Sequence, residues 1–433
     1  MDKNNGAIYD ARKLGKPKMI ILGVQHMFAM FGATILVPIL TGLDISTTLL
    51  MAGLGTLLFH CITKFKVPAF LGSSFAFLGG YAAIKAFSPN DPNSMLPYAC
   101  LGVACAGLIY FILAAVIKAV GIEKVMRFFP PVVTGPIIIA IGLGLAPSAV
   151  SNCTTNWFLA VVALAVIVVF NIWGKGMAKI IPIILGLLIS YGTGLVLYFI
   201  SQANPDLIQN VPWLFSGGAD ANGVYQPIFD FTSLNTICDN ISKGHIFGSE
   251  GLIGIPIHWD KTVFGGIDYS NGALIASSII AIVPIAFATM MEHIGDICAI
   301  SSTTGNNYIK DPGLHRTLVG DGLATTLASL FGGPANTTYG ENTGVLALTR
   351  VYDPRVIRIA AYFAVAVSFF PIVSVIIGSI PSCIIGGISF VLYGMISAIG
   401  VRNVVENKVD FTKSRNLIVA AVILVCALGL SSD

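Results

Sequence analysis

Glu292 and Asp296 stand four residues apart in an otherwise apolar stretch, and Glu341 closes the polar run Asn336-Thr337-Thr338-Tyr339-Gly340. A spacing of four places two side chains on one face of a helix. Two neighbouring carboxyl groups outside bulk water cannot both ionise cheaply, so such a pair is suited to taking up and releasing a proton. Ionised, the same groups accept hydrogen bonds from the N–H groups of a ligand. Glu341 follows Gly340 and reads as the start of a half-helix, whose first N–H groups can donate to a ligand. Phe75 and Tyr339 could each offer a ring face to a flat polar molecule. Gln25 and His26 are polar residues in an apolar run. His26 is expected to support the site rather than touch the ligand, His60 to be interfacial, and His293, one residue off the Glu292/Asp296 face, to have no role.

This chemistry is binding rather than bond-breaking. No nucleophile–base pair or phosphate loop accompanies the acids. The eight cysteines show no CxxC pair and no Cys/His cluster with metal-ligand spacing. No enzymatic activity, metal or cofactor is therefore expected. Most of the cysteines fall in apolar segments as small packing residues; Cys153 and Cys238 lie in outer loops and could pair.

The elements that must position these residues are membrane spans. The chain has 433 residues, 55% of them hydrophobic and 10% charged, against about a quarter charged in a soluble domain. Apolar runs of about 20 residues recur along it, as in a polytopic helical membrane protein. No cleavable signal peptide is visible. Spans are predicted at 19–40, 46–62, from 68 onward with a break at Gly72-Ser73-Ser74, 99–120, 130–145, 157–173 and 180–200, then 273–299, 317–331, 341–348, 359–377, 381–399 and 416–430. Residues 201–268 are too polar to span and form a long extramembrane loop. An acid at mid-span costs about 2.5–3.5 kcal/mol on insertion scales, so Glu292, Asp296 and Glu341 are expected to have work to do.

Lysines and arginines orient the chain. With the amino terminus in the cytoplasm, only Lys85, Lys243 and Lys261 of the 24 fall outside. The net charge of +3 is explained by this bias and implies no nucleic acid.

A faint internal symmetry accompanies the spans. Gln25-His26 is echoed by Glu292-His293, the break Gly72-Ser73-Ser74-Phe75 by Thr337-Thr338-Tyr339-Gly340, and Pro131-Val132-Val133-Thr134-Gly135 by the run from Pro381 to Gly386, in the same order. An odd number of spans per half inverts the second half relative to the first. Interrupted spans at corresponding places in two such halves point to the binding site of a secondary transporter. The extended residues at each break would leave backbone groups unpaired in the membrane, so two short strands should pair with each other across the repeat axis. Seven spans fill the first half and six the second, so a final helix is expected to be absent from this sequence.

The stretches Gln25-His26-Met27-Phe28-Ala29-Met30-Phe31-Gly32-Ala33-Thr34, Leu71-Gly72-Ser73-Ser74-Phe75-Ala76-Phe77, Glu292-His293-Ile294-Gly295, Asp311-Pro312-Gly313-Leu314-His315-Arg316 and Asn336-Thr337-Thr338-Tyr339-Gly340-Glu341-Asn342 resemble the nucleobase–ascorbate (nucleobase–cation symporter 2) family over nearly the whole chain. The resemblance implies an all-α, fourteen-helix fold of two inverted seven-helix repeats, with short paired strands in spans 3 and 10. It implies core segments at 1–120 and 269–378, gate segments at 121–200 and 379–433, and the 201–268 loop outside the membrane. Substrate would sit between core and gate, bound by Glu292 and Glu341 with backbone near Phe75 and Gly340 and with Tyr339 close by. Asp296, His26, Gln25 and Ser74 would support the site or the proton coupling. The implied activity is import of uracil or a related nucleobase by proton symport, in the bacterial cytoplasmic membrane and usually as a homodimer. Two residues bear on the base carried: a uracil-carrying member has His at the place of Asp296, where purine carriers often have Asp, whereas purine carriers commonly have Gln at the place of Glu341. A xanthine or urate permease is thus the alternative, followed by an anion transporter on the same fold, which the three acids disfavour.

Overall fold

The computed structural model describes residues 7–125, 130–179 and 181–429, except for the side chains of residues 122, 123 and 341. Each of the thirteen predicted spans is occupied by a helix. The first half runs α1 (Lys16–Thr41), α2 (Ile45–Ile62), strand β1 (Leu71–Ser73) continuing into α3 (Leu78–Lys85), α4 (Leu96–Val120), α5 (Pro131–Cys153), α6 (Trp157–Trp173) and α7 (Pro182–Ala203). The second half runs α8 (Gly272–Ile282) into α9 (Ile285–Thr304), then α10 (Leu314–Leu330), strand β2 (Asn336–Thr338) continuing into α11 (Gly340–Thr349), α12 (Pro354–Ser368), α13 (Pro371–Gly378), α14 (Ser382–Glu406) and α15 (Ser414–Gly429).

Local sequence sets these boundaries. The Asp44 carboxylate accepts from Thr47 N–H and caps α2, and Asn156 does the same for α6 through Leu159 N–H. Gly42 ends α1 in the left-handed region at φ 86°. Two predicted spans are interrupted at prolines. The stretch 359–377 is two helices, α12 and α13, bent by 87° at Phe369-Phe370. Pro371 has no N–H to continue the first helix, and it restricts the residue before it. Pro284 likewise separates α8 from α9. In the long loop, the polar composition did not prevent structure: it holds short helices at Asp206–Asn210 and Thr232–Ser242 and a hairpin of Ser216–Ala219 with Tyr225–Pro227. Cys153 and Cys238 do not pair. All eight cysteines are free, Cys153 buried at the end of α5 and Cys238 exposed.

The chain forms two compact units. One comprises Met1–Val125 and Asp239–Ser374, the other Met126–Cys238 and Val375–Asp433. Residues 239–268 of the long loop cluster with the first unit and its earlier part with the second. In the first unit α4 packs on α10 and α2 on α12, while α1 packs on α12 and α8 on α4. Exchanging each helix for its counterpart in the other half turns the first pairing into the second, and the third into the fourth. The second unit obeys the same exchange: α5 packs on α14, and the contacts of α15 with α5 mirror those of α14 with α6. The inverted repeat is thus written in the packing as well as in the sequence.

Apolar burial does not by itself hold helices together in lipid, where the tails are as apolar as leucine; close approach of small residues does. At the α4–α10 crossing, a side-chain carbon on Gly107 would stand 2.7 Å from the Gly322 carbonyl, and one on Gly322 would stand 2.6 Å from the Gly107 carbonyl. Neither position has room for alanine, and this reciprocal contact brings the two helices into register.

Candidate functional site

The two strands meet in the middle of the first unit. β1 and β2 pair antiparallel, Leu71 with Thr338, Gly72 with Thr337 and Ser73 with Asn336. All six residues are buried. The short ladder is extended by Tyr339 N–H donating to Phe70 O (3.2 Å) and Ser74 N–H to Ala335 O (2.8 Å). Side chains from neighbouring helices satisfy further backbone groups. The Thr56 hydroxyl accepts from Leu71 N–H (2.9 Å), that of Thr325 donates to Asn336 O (2.6 Å), and Asn336 Nδ2 donates to Met51 O (2.9 Å). Irregular backbone is tolerated at this depth because protein encloses and pairs it.

Tyr339 is 5% exposed. Its hydroxyl donates to Ser73 O (2.8 Å) and accepts from Thr34 Oγ1 (3.3 Å), and its ring lies where a side chain on Gly72 would be. It therefore holds the strand pair together from inside the fold. Phe75 is half-buried just after β1 and packs against the cluster containing Met30, Phe70 and Tyr339. Ser74 is buried, with no hydrogen-bond partner for its hydroxyl among the described residues.

Glu292 and Asp296 share one face of α9; within the unit Glu292 is exposed and Asp296 half-buried. Asp296 is tied to the strands. Thr338 Oγ1 donates to its Oδ2 (2.8 Å), and its Oδ1 lies 3.7 Å from where Gly340 would carry a side-chain carbon. Gly340 is the first residue of α11, and Tyr339 before it is extended and provides no side-chain cap. The carboxylate of Asp296 thus stands at the amino end of a helix, where N–H groups and the helix dipole favour negative charge. Glu341 occupies the second position of α11; its side chain lies outside the described residues.

α1, which carries Gln25 and His26, also packs on α11. His26 is fully buried beside Asn342, itself 1% exposed, yet neither His26 ring nitrogen nor either polar atom of the Asn342 side chain reaches full hydrogen-bond geometry. Gln25 Oε1 and Thr343 Oγ1 are likewise buried without partners among the described residues. Buried polar groups are ordinarily bonded, so this is a cluster with hydrogen-bonding capacity to spend, on the half-helix that follows β2.

The roles of three residues here were not anticipated. His293 Nδ1 stands 3.3 Å from Asp321 Oδ2, both side chains fully buried, and 3.4 Å from Thr338 Oγ1. His293 therefore joins α9 to α10 and to β2, although sequence reasoning gave it no role. Asp321 carried a readable signal, an acid inside the span predicted at 317–331. For Thr338 the signal was weaker, since a threonine is unremarkable in a strand.

A family model described as "Permease family" matches residues 17–433. A uracil permease of Bacillus caldolyticus is 39% identical over 421 residues, covering 95% of this chain and 85% of the relative; one of Bacillus subtilis (strain 168) is 38% identical over 423 residues with the same coverage. Among solved structures, the transmembrane domain of a cyanobacterial bicarbonate transporter, BicA, superposes with a TM-score of 0.65 at 12% identity, covering 98% of each chain. That likeness is one of fold.

Proposed function

The chain belongs to this permease family, and from that premise we propose that it imports uracil by proton symport. The observation that supports the reading best is the anchoring of Asp296 at the start of α11, through Thr338 of the strand that leads into it. The relatives named above are called uracil permeases. Uracil has N–H donors and C=O acceptors around one flat ring. Carboxylates of Glu292 and Glu341 would accept from its N–H groups, the open N–H groups at the start of α11 would donate to a carbonyl, and Phe75 would lie against a ring face.

Proton coupling would act through Asp296. When the carboxyl group is ionised, the Thr338 hydroxyl donates to it. When it takes a proton on Oδ2, that O–H can donate to the hydroxyl, which is able to accept. The protonation state is thereby passed to β2 and to the start of α11, where the base would bind. Transport would proceed by alternating access, the loaded site being offered to one side of the membrane and then to the other. The amino terminus would lie in the cytoplasm of a bacterial cell, by the distribution of lysine and arginine.

Binding to the purified protein tests the ligand. Tryptophan-fluorescence or calorimetric titration should give saturable binding of uracil and much weaker binding of xanthine. Preference for xanthine would replace this reading with the purine one.

A further inference from the structure

The residues before α1 are bonded to both carboxylate-bearing helices. Ile8 forms a parallel bridge with Val351, its N–H donating to Arg350 O (2.8 Å) and its carbonyl accepting from Tyr352 N–H (2.8 Å). This is the turn that leaves α11, where Arg350 is left-handed at φ 56°. The next residue reaches the other helix: the Tyr9 hydroxyl donates to the carbonyl of Thr304 (2.6 Å), the last residue of α9. The Tyr9 ring meets Tyr352 edge-on, with centroids 5.5 Å apart. Ala11, fully buried, donates its N–H to Asp353 Oδ2 (2.7 Å), and Asp353 is itself 4% exposed. Asp10 binds Arg355 (2.9 Å), and Ile8, Leu14, Met19 and Leu22 pack over Ala11, Val351 and Val356.

We infer that residues 7–15 are a strap that fixes the position of α11 relative to α9, and that Tyr9 and Asp353 are positioning residues for the substrate site. The inference rests on the transport reading above. The strand β2 holds one end of α11 and the strap holds the other. A ten-residue helix is only about 15 Å long, so a shift of its strap end tilts or slides the whole rod, including Gly340 and Glu341. α9 carries Glu292 and Asp296, so the Tyr9 bond to Thr304 ties the second set of ligand groups to the same segment. Displacements of about 1 Å are enough to weaken a site built from several converging groups.

The test is uracil uptake by proteoliposomes carrying wild type, Tyr9→Phe, Asp353→Ala or Asp353→Asn, normalised to protein in the membrane. It is paired with amide hydrogen exchange over residues 340–351. Tyr9→Phe loses one hydrogen bond and should raise the KM for uracil about two- to tenfold, with turnover per transporter changed less than KM. Asp353→Ala should raise KM further, and Asp353→Asn, which keeps an acceptor for Ala11 N–H, should restore most of the affinity. In the first two variants exchange over 340–351 should quicken. A merely structural role would lower the amount of protein and leave KM alone. Unchanged KM in Tyr9→Phe and Asp353→Ala beside an active wild type overturns the strap. If wild type takes up no uracil the transport reading fails instead, and unchanged exchange over 340–351 would then overturn the strap on its own.

Discussion

At the scale of single residues, Thr338 is the junction of the site. Its hydroxyl donates to Asp296 and lies 3.4 Å from His293, which is in turn paired with Asp321. Thr338→Val preserves shape and removes the hydroxyl, leaving buried polar groups short of a partner. The cost should be about 1–3 kcal/mol, read as a lower melting temperature in detergent, with a shifted pH dependence of uptake. Glu341→Gln should leave stability near wild type and cut uracil uptake about 10- to 100-fold, the loss of a charge-assisted hydrogen bond of roughly 1.5–3 kcal/mol; near-normal uptake would remove Glu341 from the site. The acids at 292, 296 and 341 were legible because charge in an apolar run is costly. Asp321 was equally legible by that criterion. What the sequence could not reveal is partnership: nothing in the spacing of His293, Asp321 and Thr338 along the chain announces that they meet, since three separate elements bring them together. Tyr339 shows the same limit, since nothing in the sequence announces that its hydroxyl donates to Ser73 O.

At the scale of elements, the strand pair is the part that sequence reasoning located best. Polar, glycine-bearing residues at two breaks must pair their backbone groups somewhere, and pairing with each other is the solution found. The close approach at Gly72 completes it: a side-chain carbon there would stand 2.6 Å from Thr34 Oγ1 and 2.7 Å from Tyr339 Cζ. Gly72→Ala should therefore displace Tyr339 and cost about 1–3 kcal/mol, seen as reduced thermal stability together with weaker uracil binding. The break at Pro284 and the bend at Pro371 were less visible, because an apolar run reads as continuous hydropathy whether or not its helix is interrupted. An ion pair joining the link between α2 and β1 to the link between α9 and α10 can be checked by pH. Lys66 Nζ donates to Asp311 Oδ1 (2.8 Å) and, with this bond as the main cause, holds the Asp311 carboxyl below its ordinary range. A depressed carboxyl contributes stability above its unfolded value and loses that contribution as pH falls through the folded one. The melting temperature of wild type should exceed that of Asp311→Asn at neutral pH, and the gap should close below the ordinary carboxylate range. Both partners are substantially exposed, so the gap should also narrow in high salt.

At the scale of the whole molecule, the inverted repeat reconciles sequence and structure. Three faint landmarks recurring in order were enough to anticipate two halves of opposite orientation, and the exchange of helix contacts within each unit reproduces that symmetry. The long loop is divided between the two units by its contacts, residues 239–268 clustering with the first and its earlier part with the second. We propose that Glu292, Asp296 and Glu341 serve proton-coupled uracil uptake. Reconstituted proteoliposomes given labelled uracil, with and without an inwardly directed proton gradient, test it most directly. Accumulation should saturate with uracil, rise with the gradient and collapse when a protonophore is added. Uptake indifferent to the gradient, or no uracil uptake at all, would contradict it.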